Sequence, residues 1–595
     1  MQSKEIMGKL EVIRVDDIPL LYTQIEELGL QELIDKIIKP HGNWRGLSIG
    51  YITSIWLCYL LSESDHRISA VESWVRANYK MLRALSGQGE LRDKDFTDDK
   101  LEEVLDMLSD EEKWREISNG LNRNSLEIYD LDAHKTIRLD AAPMQGHHNV
   151  KKSNLFQYGY SKHHNAKLGM LKVMLACIDN EVNGFGYPLA HITVSGEQAD
   201  DGLYIPLIDE CEQTFALCRE ICRKLYVGDG KMGSQANRYH IWKGQNDYLV
   251  PLSKIQLTEL ERSKCITQVL KKDYKKVYKT DKAGKKILVA QGFEREVEVS
   301  YENKEGKIEN WKERQVFVLS TSYSQGQQKS LDQRLKQTTK AIKDLLVRKQ
   351  GKKRFKKRKA LQEAINNLLR EKGLTDLLEV SIQERRYSKE IRAYKDRPAR
   401  KERWSTFQLE VVQNKKAIAA RKKNLGWQIY GTTVAKEKLD FENIVWKYRH
   451  QIRVESRFND LRNKVVPLVP IFLKKDNRVE ALINILMICL KVCAIMEFKV
   501  AKALKQTKAQ LDNIYEGNPK RSTATPTAKR LLKQFEGISI GLINTNQEKS
   551  PSIMLTELSP NQLKILDLLS FKSSIYTNLP RRIKLFFSHE NFSET

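Results

Sequence analysis

Three carboxylates stand where acids coincide with strand and helix signals. Asp140 closes the β-branched run Thr136-Ile137-Arg138-Leu139, Asp229 follows the apolar Leu225-Tyr226-Val227, and Glu455 lies in a helical stretch from Tyr448 to Lys464. Acids delivered by strand ends to one edge of a sheet are what oxygen-seeking divalent cations require. Two such ions about 3.5–4 Å apart activate an attacking oxygen and stabilise the leaving oxygen of a phosphoryl displacement. A chain with 76 Asp and Glu offers many triples of this kind, so the surroundings of each acid must decide.

Other chemistry-bearing residues point elsewhere. None of the eight cysteines forms a CxxC pair, and Cys218/Cys222 and Cys489/Cys493 have helix-face spacing. They read as buried thiols in a reducing compartment rather than zinc ligands. His147-His148 and His163-His164 lack a nearby Cys or acid to complete a zinc set and read as exposed loop residues.

Five stretches must position these groups. Residues 1–125 read as an all-α module, with Pro19 opening one amphipathic run and Tyr51 to Leu61 forming a second. Residues 126–262 alternate strand and helix signals: Leu171 to Ile178 and Leu189 to Val194 are apolar runs, followed by helical spacing from Leu207 to Cys222. Residues 263–440 begin as a β-hairpin, Glu296 to Tyr301 and Gln315 to Leu319 around Asn303-Lys304-Glu305-Gly306, and continue as a basic helical segment. Residues 441–510 return to helical periodicity, and 511–595 form a helical tail. The stretch from Val479 to Phe498 carries Glu480, Asn484, Lys491 and Glu497, so it reads as a buried core helix, not a membrane span.

Five pieces in this order resemble the DDE transposases of bacterial insertion sequences, of the cut-and-paste type with a β-rich insertion before the last carboxylate. They are Leu139-Asp140-Ala141-Ala142-Pro143; Tyr158-Gly159-Tyr160-Ser161-Lys162 with Lys167-Leu168; Ser195-Gly196-Glu197-Gln198-Ala199-Asp200; Val227-Gly228-Asp229-Gly230-Lys231-Met232 with Asn237; and Tyr448 through Val466. The resemblance implies an α/β fold with an RNase H-like, retroviral-integrase-like core and a mixed sheet, an all-α amino-terminal domain and a β/α insertion. It also implies that Asp140, Asp229 and Glu455 bind two Mg²⁺ ions, which Mn²⁺ can replace. The family's Tyr-Arg-Glu-Lys signature falls on Tyr448, Gln451, Glu455 and Arg462. Gln451 departs from it, leaving Arg449 or Arg453 as substitutes for the missing phosphate contact. Steps of three and four put Tyr448, Glu455 and Arg462 along one face of a continuous helix.

The composition fits a nucleic-acid partner. At 41% apolar and 30% charged residues the chain is globular, and its net charge of +26 exceeds what an acidic small molecule needs. Residues 331–425 hold 29 Lys and Arg against 11 Asp and Glu, densest at Lys352 to Lys359, where Lys353, Arg354 and Lys356 are candidate phosphate contacts. Lys162 and Lys167 are candidates beside the core. Trp427, and Trp404 beside Arg403, either stack on an unpaired base or pack in a sheet. The expected activity is metal-dependent cleavage of double-stranded element ends followed by transfer of the 3′-hydroxyl into target DNA. The expected assembly is a homodimeric synapse, in the cytoplasm at the nucleoid, with no membrane role. The alternatives are a non-catalytic DNA-binding relative and a metal-dependent nuclease without strand transfer.

Overall fold

The computed structural model describes residues 9–87, 91–129, 136–159, 167–179, 184, 186–217, 222–281, 283–347, 354–393, 398–544 and 552–590. The chain divides into two compact units, residues 1–250, 301–309 and 446–595 in one, 251–300 and 310–445 in the other.

The first unit holds a mixed sheet. Its strands are β1 (Thr136–Gly146), β2 (Gly169–Asp179), β3 (Gly186–Ser195), β4 (Leu225–Val227) and β5 (Asp247–Pro251). They lie in the order β3-β2-β1-β4-β5. β1, β2 and β3 run antiparallel, whereas β4 pairs parallel with both β1 and β5. The apolar residues of β2 are buried throughout, as a strand covered on both faces demands, whereas β3 is buried only from Gly186 to Ala190. Helix α1 (Tyr204–Leu217) connects β3 to β4, and its Leu207, Ile208, Cys211 and Phe215 are buried.

Asp140 does not end its strand, as the short β-branched run suggested. β1 continues to Gly146 because Ala141 to Gly146 stay paired with β2. It is the parallel neighbour that stops: β4 ends at Val227, opposite Arg138. Asp140 and Asp229 each lie two residues beyond that rung, Asp140 still within β1 and Asp229 past the end of β4.

The stretch from Tyr448 to Lys464 is not one helix. Helix α2 (Phe441–Arg449) ends, α3 (Ile452–Asn459) begins after a tight junction, and a π-turn spans Asp460–Lys464. At the junction the amides of Gln451 and Arg453 donate to the carbonyls of Tyr448 and His450, both at 3.0 Å, a three-residue spacing. Beyond α3 the Val465 amide donates to the Asp460 carbonyl at 3.3 Å, a five-residue spacing. Tightening and then loosening the winding changes which residues share a face, so the straight-helix projection fails beyond Glu455.

Helix α4 (Asp476–Thr507) is, among the described residues, the one helix long and apolar enough to cross a membrane, and 89% of its most apolar window is buried inside the protein. That is the core helix the sequence suggests. The amino-terminal part is helical, with Ile49–Glu63 buried along nearly its whole length. Its first element is nevertheless a strand, Lys9–Arg14, pairing with Ser539–Asn544, which pairs in turn with Ser552–Leu555. Leu10 and Val12 are exposed there and Ile13 is buried, an alternation too short to recognise without its distant partner.

The strands of the second unit are β6 (Lys275–Thr280), β7 (Lys286–Glu302), β8 (Ile308–Ser320), β9 (Leu378–Ile391), β10 (Arg400–Gln413) and β11 (Trp427–Thr432). β11, β8, β7 and β6 lie side by side in that order, while β9 and β10 pair only with each other. The hairpin read around Asn303 to Gly306 is present as β7 and β8. The following segment, read as basic and helical, contains the helices Thr321–Asp344, Arg358–Glu371 and Lys415–Lys423 but also the β9–β10 ribbon. The ribbon forms because Val380 and Ile382, with Phe407, Leu409 and Val411, alternate along their strands and pack on Leu331, Leu335, Ile365 and Leu369 of the helices.

Of the cysteines described, Cys489 and Cys493 are buried in α4, and all are free thiols. α1 ends at Leu217, so Cys222 lies past the helix on which it was placed; Cys218, His163 and His164 lie outside the described residues. His148 is half-buried rather than exposed, stacked on Phe156 at 3.7 Å, with Nε2 2.7 Å from the Leu473 carbonyl oxygen.

Candidate active site

Asp229 is held by the turn that follows β4. Its Oδ1 accepts from the backbone amides of Lys231 at 2.8 Å and Met232 at 3.3 Å, and from the Tyr204 hydroxyl at 2.8 Å. Asp140 Oδ1 accepts from the Ala141 amide at 2.9 Å. Glu455 is exposed in the first turn of α3.

Burial raises the pKa of Tyr448, and the negative fields of Asp229, Asp140 and Glu455 raise it further against the opposing charge of Arg138. Coulomb energy falls with distance and is screened by water. Tyr448 is thus within electrostatic reach of carboxylates 315 positions apart in sequence. Tyr204 is similar: burial raises its pKa first, then Asp229 and, more weakly, Asp140.

Buried polar contacts fix the two helices around the junction before Glu455 to the sheet. Arg138, fully buried in β1, pairs with Asp179 at 2.7 Å and donates to the Lys447 carbonyl at 2.8 Å. Gln451 Nε2 donates to the Leu139 carbonyl at 2.9 Å. Arg457, also buried, pairs with Glu497 of α4 at 2.6 Å and donates to the Gly186 carbonyl at 2.7 Å. The residue in the signature's arginine place thus grips the sheet, while Arg453 is paired with Asp179. Burial and the neighbouring Arg138 lower the pKa of Arg453 to about 10.

The remaining candidates are dispersed. Arg462 Nη2 lies 3.5 Å from the Pro143 carbonyl, and Arg449 sits 5.6 Å from the Trp446 ring. In the second unit, Arg354 and Lys356 are exposed. Trp427 is half-buried, edge-on to Tyr274 and Phe293, with its ring nitrogen enclosed; Trp404 is 41% exposed. Lys162 and Lys353 lie outside the described residues. Two of the sequence pieces meet through glycines: a Cβ on Gly159 would come within 2.1 Å of the Gly196 carbonyl oxygen, and one on Gly196 within 2.1 Å of the Met170 carbonyl oxygen.

Sequence reasoning missed Tyr204, Arg138 and Asp179. Arg138 had a signal: a charge inside an apolar strand run must find a partner. Tyr204 had none, because only the fold brings α1 to Asp229.

Among the described residues no three or more His, Cys, Asp or Glu side chains, Asp140, Asp229 and Glu455 included, are grouped closely enough to hold a metal ion. The fit to a divalent cation therefore rests on donor chemistry. Two aspartates and a glutamate are oxygen donors, and such donors suit a hard ion such as Mg²⁺.

A family model described as "Domain of unknown function (DUF4277)" matches residues 10–119. That region precedes every carboxylate of the site. No curated protein matches the chain.

Proposed function

We propose that this protein is a DNA transposase, cutting duplex ends with water as nucleophile and joining the freed 3′-hydroxyl to target DNA at one site. The observation that carries the reading is the set of polar contacts that hold the strand of Asp140 to the chain just before Glu455 and Tyr204 to Asp229. The strand order β3-β2-β1-β4-β5, with β4 and β5 parallel to β1, supports an RNase H-like core. The excess of positive charge in residues 331–425 supports a polyanionic substrate.

Asp140 and Asp229 would hold the metal ions jointly, and Glu455 would complete the set from the helix. Bound Mg²⁺ would supply activation of the attacking oxygen and charge stabilisation at the leaving oxygen. The chain's own part is positioning. Arg138 holds α2 and Gln451 holds the start of α3 against β1, and Tyr204 orients Asp229. Cleavage and joining are both phosphoryl transfers to an oxygen nucleophile, so one arrangement serves both.

The test uses duplexes carrying the DNA that flanks the coding sequence, with Mg²⁺ or Mn²⁺. Wild type should nick them and join pre-cut 3′-hydroxyl ends to a plasmid, whereas Asp140→Ala should bind equally and do neither. Hydrolysis without joining would mark a nuclease, and equal activity of both proteins would refute the site.

A further inference from the structure

Among the described residues, the distal half of the β9–β10 ribbon pairs with no further strand. Its base packs on the helices through Val380, Ile382, Phe407, Leu409 and Val411. Beyond that, seven successive pairs, Arg385 with Thr406 through Ile391 with Arg400, continue outward. Arg385 to Glu390 and Arg400 to Trp404 are all exposed. An isolated two-stranded ribbon is marginal in water, and its free edges invite pairing unless charge protects them. Here the charge is one-sided: Arg385, Arg386, Lys389, Arg392, Arg400, Lys401 and Arg403 face only Glu384, Glu390 and Glu402. The acids pair with Arg386, Lys401 and Arg400, leaving Arg385, Lys389, Arg392 and Arg403 without an ion pair among the described residues. Tyr387 and Trp404, directly opposite one another, stack at 5.9 Å while 44% and 41% exposed.

We infer that this distal ribbon is an arm that enters the major groove of duplex DNA. The inference rests on the reading of DNA as substrate and names a contact surface for it. At about 3.4 Å per residue the arm is roughly 20 Å long. A major groove about 12 Å wide admits a two-stranded ribbon. The register puts cations on both faces, Arg385 and Lys389 on one, Arg386, Lys401 and Arg403 on the other, so both groove walls can be neutralised together. The Tyr387–Trp404 stack offers an apolar surface to thymine methyl groups. Like charge on both sides opposes a second copy of the same ribbon as occupant.

The experiment uses the full chain and a 40-bp mixed-sequence duplex without divalent metal, so binding is read apart from chemistry. The triple variant Arg385→Ala/Arg386→Ala/Arg403→Ala should bind at least about 10-fold more weakly at 0.1 M salt, and its salt dependence should flatten by about 0.9 in slope per lost contact. It should also lose protection of guanine N7 from dimethyl sulfate, while the corresponding triple Lys variant retains most of both. Unchanged affinity, slope and protection would overturn the arm while leaving the transposase reading standing. Wild type failing to bind the duplex at all would sink both. A triple variant altered in self-association but not in DNA affinity would assign the ribbon to a second copy and overturn the inference.

Discussion

At the scale of single residues, the site depends on charges buried away from water. Arg138 and Asp179 are essentially inaccessible, and Arg453 joins them from the junction before Glu455. Removing one member of a buried ion pair leaves an uncompensated charge, a loss of about 3–5 kcal/mol. Asp179→Leu, which strands two guanidinium groups, should therefore lower stability by that order, read as a shift in urea midpoint. Arg138→Leu with Asp179→Leu should recover part of it, because the double replacement removes one of the two orphans and leaves only Arg453. The double variant should still join DNA ends more slowly, since the Lys447 carbonyl loses its donor and α2 its tether. A double variant no more stable than Asp179→Leu would show that the pair is not the source of the loss.

At the scale of elements, the packing of α4 against β3 carries a pH dependence. His191 of β3 is half-buried, and its Nε2 lies 2.9 Å from Asn484 Oδ1 of α4, an acceptor that a neutral imidazole satisfies by donating. Burial, opposed by this hydrogen bond, lowers its pKa to about 4. The unfolded chain, near 6.5, then binds more protons than the folded one between these values. The histidine's contribution is thus present in full above pH 6.5 and lost as the pH falls toward 4, roughly 3 kcal/mol in all. Urea midpoints at pH 7 and pH 4.5 should fall further for wild type than for His191→Phe. Equal falls would place the acid sensitivity elsewhere.

The same scale explains what could be read from sequence. The strands around Asp140 and Asp229, the buried α4 and the β7–β8 hairpin were legible because long apolar runs or a polar turn announce themselves locally. The strand Lys9–Arg14 and the ribbon were not. The first is defined by residues some 530 positions away, and the second hides its period-two apolar pattern under dense charge. At the site, spacing singled out Tyr448, but not the junction that tightens the helix before Glu455. That break reflects how Arg138 and Gln451 pull the chain onto β1, a tertiary contact that no local pattern contains.

At the scale of the whole molecule, charge governs association. Each chain carries +26, and so large a like charge opposes the approach of a second copy at low ionic strength. Joining two DNA ends nevertheless needs two chains held together. The consistent solution is that DNA itself relieves the repulsion, its phosphates neutralising the basic surfaces as the complex forms. The protein without DNA should therefore run as a single 69.1 kDa species. Duplexes carrying the flanking DNA should convert it into a complex of two chains and two duplexes. Mass photometry at 0.1 M salt can follow the change, and Asp140→Ala should pair as wild type does, since pairing needs grip and not chemistry. A dimer of the same abundance with and without DNA would mean that an apolar protein interface, not charge neutralisation, holds the chains together.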